Sequence, residues 1–219
     1  MLATEEITRV AMPRIGDGAP DFEALTSKGP LRLSDFKGSW LVFFSHPADF
    51  TPVCTTEFMA FTDRYPEFQQ RNVQLLGLSV DSVQAHIAWL RNIEEKTGKK
   101  VPFPVVADLT RDVATKYGML HPGQSTTETV RAVFLIDPEQ KIRAIIYYPL
   151  TTGRSMDEIL RLVDALQTTD KNKVSTPANW QPGEKVILPA PATQEAAQER
   201  VEERNGAEVI DWYFAKKTL

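Results

Sequence analysis

The reactive chemistry available to this chain centres on one sulfur. Among 219 residues there is a single cysteine, Cys54, inside "HPADFTPVCTTEF" at residues 46–58. A lone cysteine excludes a disulfide within the chain and leaves three readings: a buried inert thiol, a bridge between chains, or a reactive thiol. Its surroundings favour the third. Thr51 is a good helix N-cap, and Pro52 suits the first helical position, where its missing amide proton costs nothing. Cys54 then occupies the third helical position, where unpaired backbone N–H groups and the positive end of the helix dipole favour an anion. A free thiol, with a pKa of about 8.5, is only a few per cent thiolate at neutral pH, and helix N-termini with nearby cations raise that share. The thiolate is the nucleophile.

A cation is the next requirement. Arg131 opens "VRAVFLID" (130–137), an otherwise apolar run, and a guanidinium there needs an anion or solvent. It is either a charge partner for Cys54 or a strand-end side chain reaching water. Arg154, in the loop "TTGRS" (151–155), is a second candidate, with a plain surface arginine as the alternative. Of the three histidines, His46 is close in sequence to Cys54 and able to hydrogen-bond near it. His86 reads as a structural residue on a helix, and His121 as a loop residue. No pair has metal-ligand spacing, so no metal is expected. A Cys–His hydrolase would need an oxyanion hole and an acyl substrate, and nothing in the sequence argues for either.

These residues must be positioned by regular elements. Short apolar, β-branched runs recur: "WLVFFS" (40–45), "VQLLGLSV" (73–80), "PVVAD" (104–108), "VRAVFLID" and "IRAIIYY" (142–148). Most are apolar at nearly every position, as in strands covered on both faces. "GPLRLSDFKG" alternates around Leu31 and Leu33 and fits a short edge strand. After Cys54, Phe58, Phe61, Tyr65 and Phe68 form one helical stripe. Pro66 is expected to break or kink that helix. A second helix runs from about Val83 to Gly98, a short third covers "RDVATKYG", and a fourth starts at Ser155 with Glu158 completing a capping box. "IDPEQKIR" joins its two strands through a tight turn, so that pair is antiparallel. The order of elements predicts an α/β fold, a thioredoxin-like mixed sheet flanked by helices. After about residue 168 the chain turns polar and proline-rich, with one short charged helix near 193–204. We therefore expect a thioredoxin-like catalytic domain at 1–168 and a C-terminal extension at 169–219, packed on the main domain or on a partner subunit. The apolar end "VIDWYF" would otherwise lie in water.

Composition narrows the function classes. The hydrophobic fraction of 42% suits a buried core, and a net charge of −4 with no Lys/Arg-rich run gives no reason to expect nucleic acid or an anionic membrane as partner. The start, "MLATEEITRV", carries two glutamates where a secretion signal needs positive charge. The longest apolar run is far short of a membrane span. The chain is expected to be soluble, unsecreted and cytoplasmic.

The motif stretch "HPADFTPVCTTE" resembles the P-x-x-x-T-x-x-C signature of peroxiredoxins at Pro47, Thr51 and Cys54. "HIAW" (86–89), "FPVVAD", "VRAVFLIDP", "YPLTTGRS" and "TPANW" resemble its one-cysteine, peroxiredoxin-six-like subgroup. The resemblance implies a thiol-specific peroxidase for hydrogen peroxide and organic hydroperoxides, with no cofactor. Cys54 would be the peroxidatic nucleophile. Thr51 would position the peroxide, Pro47 would shield the sulfur, and Arg131 would stabilise thiolate and transition state. Glu57, Arg154 and His46 would be supporting residues. With no second cysteine, the sulfenic acid would need an external thiol: glutathione, a thioredoxin-like protein or a small dithiol. A homodimer is expected, with a ring of dimers as the larger alternative. Some subgroup members also resemble phospholipases through G-x-S-x-G, but Gly38, Ser39 and Trp40 lack the second glycine, so lipase activity is not expected. The competing reading is a redox sensor or holdase that uses Cys54 oxidation as a switch.

Overall fold

The structure, a computed structural model, describes residues 12–219; the amino-terminal stretch considered for targeting lies outside them. Ten strands and five α-helices follow in chain order: β1 Glu23–Thr26, β2 Gly29–Arg32, β3 Trp40–Ser45, α1 Pro52–Gln70, β4 Val73–Ser79, α2 Val83–Thr97, β5 Val105–Ala107, α3 Asp112–Lys116, β6 Arg131–Ile136, β7 Ile142–Tyr148, α4 Met156–Asn172, β8 Val186–Ile187, α5 Gln194–Glu203, β9 Glu208–Asp211 and β10 Phe214–Lys217. A 3-10 turn, Leu33–Phe36, separates β2 from β3. The described residues form two compact units that divide between Met156 and Asp157.

In the first unit, seven strands make a mixed sheet in the order β2-β1-β5-β4-β3-β6-β7. β3, β4 and β5 run parallel, while β6 and β7 form the expected antiparallel hairpin. The edge strand anticipated from "GPLRLSDFKG" is one arm of the β1–β2 hairpin. β3 lies between β4 and β6 and is buried along its whole length, which is why its sequence shows no polar alternation. Successive strand residues face opposite sides. Phe43 packs with Phe22, Tyr117 and Phe134, whereas Phe44 packs with Phe58, Phe61 and Phe103. Gly77, paired with Phe44, is closely packed: a Cβ there would touch the Phe44 and Phe58 rings at 3.4 Å.

β6 is antiparallel to β3, with Phe44 opposite Val133. Continuing that register brings Arg131, at the start of β6, level with the residue that follows β3. The loop 46–51 and α1 leave from the same end. Helix α2 is capped before Val83 by Ser82, whose hydroxyl accepts a bond from the Ala85 N–H, and after Thr97 by Gly98, whose φ of 73° suits a left-handed cap.

Of the two outcomes expected at Pro66, a break does not occur: helix α1 continues through it to Gln70. The stripe explains this: Phe58, Phe61 and Phe68 are buried on either side of the proline, and their packing outweighs the missing hydrogen bond.

In the second unit, α4 carries buried Ile159 and Val163. Ala165 joins Trp180 and Val186 in a small core against which Val174 packs. The sequence boundary at 168/169 follows the shift in composition. Compactness divides the chain earlier, at Met156/Asp157, because α4 supplies apolar surface to that core. β8, β10 and β9 form an antiparallel sheet that the sequence reading did not anticipate. Their strands are two to four residues long, too short to show a period.

Replacing Pro66 by Ala returns an amide donor to the middle of α1. Proline costs roughly 3 kcal/mol against alanine in a helix interior, and a stiffer unfolded chain returns up to about 1. The variant should gain about 2 kcal/mol, read as a higher urea midpoint at unchanged slope.

Candidate active site

Cys54 sits in the first turn of α1, fully buried. Thr51 is the N-cap residue, with φ −108° and ψ 146°, and Pro52 takes the first helical position. The Thr51 hydroxyl does not cap the helix: it donates to the Ala48 carbonyl at 2.8 Å and closes the loop that enters it. Pro47 is buried in the same loop.

Arg131 reaches the sulfur. Its Nη1–H group donates to Cys54 Sγ at 3.2 Å and to Glu57 Oε2 at 2.8 Å, while Nε and Nη2 donate to the Leu150 carbonyl at 3.1 and 2.7 Å. This arginine is only 2% exposed, so its strand-end position does not lead to water.

Arg154, read as a surface residue or a weaker charge partner, is also buried, at 7% exposure. It does not bond the sulfur directly. Its backbone N–H and Nε donate to Glu57 Oε1 at 2.9 and 2.8 Å, and Nη2 donates to Oε2 at 2.6 Å. Nη1 donates to the carbonyls of Ser45 and Ala132, which ties the loop after β7 to the ends of β3 and β6. The guanidinium lies over the Phe44 and Phe61 rings, 4.9 and 5.7 Å from their centres.

Glu57 is therefore held on both oxygens by two arginines. Burial pushes its carboxyl up, but the Arg154 and Arg131 cations outweigh this and hold it below the usual carboxylate range. One carboxylate facing two guanidiniums leaves a surplus positive charge in a buried site, with the Cys54 sulfur beside it.

His46 belongs to a neighbouring cluster. Its Nε2 contacts Asp49 Oδ1 at 2.9 Å, and the other Asp49 oxygen meets His86 Nδ1 at 2.7 Å. His86 Nε2 faces the Val106 carbonyl at 3.0 Å. All three residues are buried. His121 lies in a loop, as expected, bonded to the Gly118 carbonyl. Burial lowers the basicity of His46 despite the opposing pull of Asp49. For Asp49, burial pushes the carboxyl up while bonds from His46 and His86 bring it below its ordinary range. Sequence reading missed Asp49, although it stands three residues after His46 in the same motif. Asp81 lies close to His46 and Asp49, but its Oδ2 accepts from the Asp49 N–H and from the Ser79 hydroxyl. His46 Nε2 and Asp49 Oδ1 are thus engaged with each other, and Asp81 Oδ2 with its own two donors.

A thiol at a helix N-terminus, bonded by a buried guanidinium on a thioredoxin-like sheet, defines a class: proteins that use a cysteine for redox chemistry. Residues 15–145 match the AhpC/TSA family, and residues 165–204 match the C-terminal domain of 1-Cys peroxiredoxin. A peroxiredoxin of Aquifex aeolicus is 58% identical, with 96% of this chain and 99% of that protein covered. A peroxiredoxin of Methanosarcina mazei is 56% identical, with 94% and 98% covered. Among solved structures, the yeast mitochondrial 1-Cys peroxiredoxin superposes with a TM-score of 0.85 at 44% identity, covering 95% of this chain and all of that one. Peroxiredoxin 6 of Arenicola marina gives 0.84 at 39%, covering 94% and 97%. The chain belongs to the AhpC/TSA family and, within it, to the one-cysteine peroxiredoxins; it is a thiol-dependent peroxidase.

Removing the Glu57 charge leaves two buried guanidiniums without their anion. Glu57→Gln should destabilise the fold by about 3–5 kcal/mol, measured by urea unfolding at neutral pH. The pH dependence has a definite sign. A carboxyl held low in the folded state adds stability that is complete above its unfolded value of about 4.3 and is lost as the pH falls through the folded value. The acid limb of the stability curve should flatten in Glu57→Gln, leaving Asp49, also held low, as a remaining contributor.

Proposed function

We propose that this protein reduces hydrogen peroxide and organic hydroperoxides at Cys54 and is returned to the thiol by an external thiol. The observation that carries the reading is the bond from Arg131 Nη1 to Cys54 Sγ inside a cluster otherwise positive by one charge. The thiolate attacks one peroxide oxygen, the O–O bond breaks, and the other oxygen takes up a proton and leaves as water or alcohol. Sulfur is oxidised to the sulfenic acid. Arg131 and the N–H groups at the start of α1 face the charge that moves from sulfur to the leaving oxygen. Thr51 and Pro47 shape the approach as members of the loop immediately before the sulfur.

Cys54 is the only cysteine, so the sulfenic acid cannot close a disulfide within the chain. One external thiol displaces water from it to give a mixed disulfide. A second thiol releases Cys54 and leaves the external pair oxidised. The yeast 1-Cys relative is described as resolved through glutathione and thioredoxin systems, which supports glutathione, a thioredoxin-like protein or a small dithiol as reductant here.

A homodimer, or a ring of dimers, is part of the same reading. Ile210, Trp212 and Tyr213 in the second unit are exposed, and apolar side chains grouped so closely in sequence suit a subunit contact. Light scattering at micromolar concentration should give at least twice the 24.6 kDa chain mass; a monomer removes this claim.

With excess dithiothreitol, the protein should consume many equivalents of peroxide, whereas a switch would stop after one. Cys54→Ser should consume none. Arg131→Ala loses one pre-positioned donor and should lower kcat/KM for hydrogen peroxide by about 10²–10³-fold. An unchanged rate in that variant removes Arg131 from the mechanism.

A further inference from the structure

The His46–Asp49–His86 cluster contains more contacts than a carboxylate and two neutral imidazoles can satisfy. His86 Nε2 lies 3.0 Å from the Val106 carbonyl, which only accepts, so this nitrogen carries a proton. His86 Nδ1 lies 2.7 Å from Asp49 Oδ2, and two bare acceptors at that distance would repel, so a proton lies between them as well. The third contact, from His46 Nε2 to Asp49 Oδ1 at 2.9 Å, needs a proton of its own. His46 Nδ1 is the one buried side-chain nitrogen or oxygen without a partner among the described residues. A bare lone pair is the less costly atom to leave unpaired there than an N–H group.

We propose that His86 is an imidazolium ion paired with the Asp49 carboxylate, that His46 is neutral with its proton on Nε2, and that His86 thereby acts as a positioning residue for the loop carrying Pro47 and Thr51. Three protons then serve three contacts, and the buried cluster is electrically neutral. With His86 neutral, the cluster would hold an uncompensated carboxylate among side chains closed to water. The surrounding charges fit the assignment. Asp81, bonded to the Asp49 N–H, adds negative charge on one side, and Arg154 weighs against protonation of His46 on the other.

The mechanical consequence follows from where Asp49 sits. Its side chain fastens the loop after β3 to α2 through His86, and His86 in turn fastens to β5 through Val106. The next residue, Phe50, has a φ of 55° and is exposed. A non-glycine residue in that region persists when its neighbours are held. Asp49 is held on one side, and Thr51, bonded to Ala48, on the other.

Nitrogen-15 NMR of the imidazole rings tests the protonation directly on the full chain. In the native protein at neutral pH, both His86 nitrogens should show protonated shifts, while His46 shows a protonated Nε2 and a bare Nδ1. Asp49→Asn keeps the shape of the side chain and supplies an amide N–H toward His86, so in that variant His86 Nδ1 should lose its proton. A bare Nδ1 on His86 in the native protein, or the opposite tautomer of His46, overturns the assignment. Positioning is read separately: His86→Leu should lower kcat/KM for hydrogen peroxide by about 10²-fold, the scale of a small misplacement near reacting atoms. A native rate in a folded His86→Leu overturns the positioning role. Should that variant fail to fold, Asp49→Asn takes its place: loss of the imidazolium there without any loss of rate overturns the positioning role equally. The spectroscopic reading uses no peroxide turnover, so it fails or stands independently of the peroxidase reading.

Discussion

The site is organised by a carboxylate buried between two arginines. Glu57 accepts from Arg154 on both oxygens and from Arg131 on one, and each partner comes from a different part of the chain. Glu57 lies one turn after Cys54 on α1, Arg131 starts β6, and Arg154 follows β7. None of these groups could be buried alone, since an isolated charge in such an environment costs several kcal/mol even after relaxation. Their mutual need brings helix, strand and loop to one point. Two cations meet one anion here, and the sulfur of Cys54 lies against the Arg131 guanidinium.

Sheet topology makes that meeting possible. A loop leaving the carboxyl end of a parallel strand opens onto the crevice where open α/β sheets bind ligands. β3 supplies the loop and α1 the helix N-terminus. A neighbour running parallel to β3 would bring its own carboxyl end to this place. β6 runs antiparallel, so its first residue, Arg131, arrives instead. The helix N-terminus that carries the sulfur and the guanidinium that bonds it therefore come from separate elements.

Legibility in the sequence follows the range of the interactions. Thr51, Pro52 and Cys54 could be placed at a helix start because proline at a first helical position is a local signal, although the Thr51 hydroxyl bonds Ala48 instead of capping, and Arg131 stood out as a charge inside an apolar run. Pro47 and Glu57 came through resemblance, with no local pattern to assign them, and His46 had only its nearness to Cys54 in sequence besides. Arg154 was half-legible: it lies in a polar loop where an arginine in solvent would look the same, and its burial depends on Glu57, 97 positions away. Asp49 is illegible for the same reason, since it lies in a loop and its partner His86 is on α2, 37 positions away. At Pro66 the local rule allows a break, and tertiary packing of Phe58, Phe61 and Phe68 keeps the helix continuous. The small sheet of the second unit had no period to read.

Two buried ionic clusters beside one catalytic sulfur are not an efficient route to stability, since well-packed apolar side chains of similar volume often do as well or better. What charged groups add is direction. A ring packed in a core tolerates small rotations with little loss, whereas the bonds from Arg131 to a sulfur and to Leu150 fix both the plane and the reach of its guanidinium. The aromatic groups Phe44, Phe58, Phe61 and Phe103 surround this region and provide cohesion and exclusion of water. Exclusion strengthens each bond inside, and it also raises the cost of any unpaired charge. The aromatic shell and the charge clusters consequently require each other: the shell makes the pairing strict, and strict pairing holds Cys54 and the loop before it in one geometry.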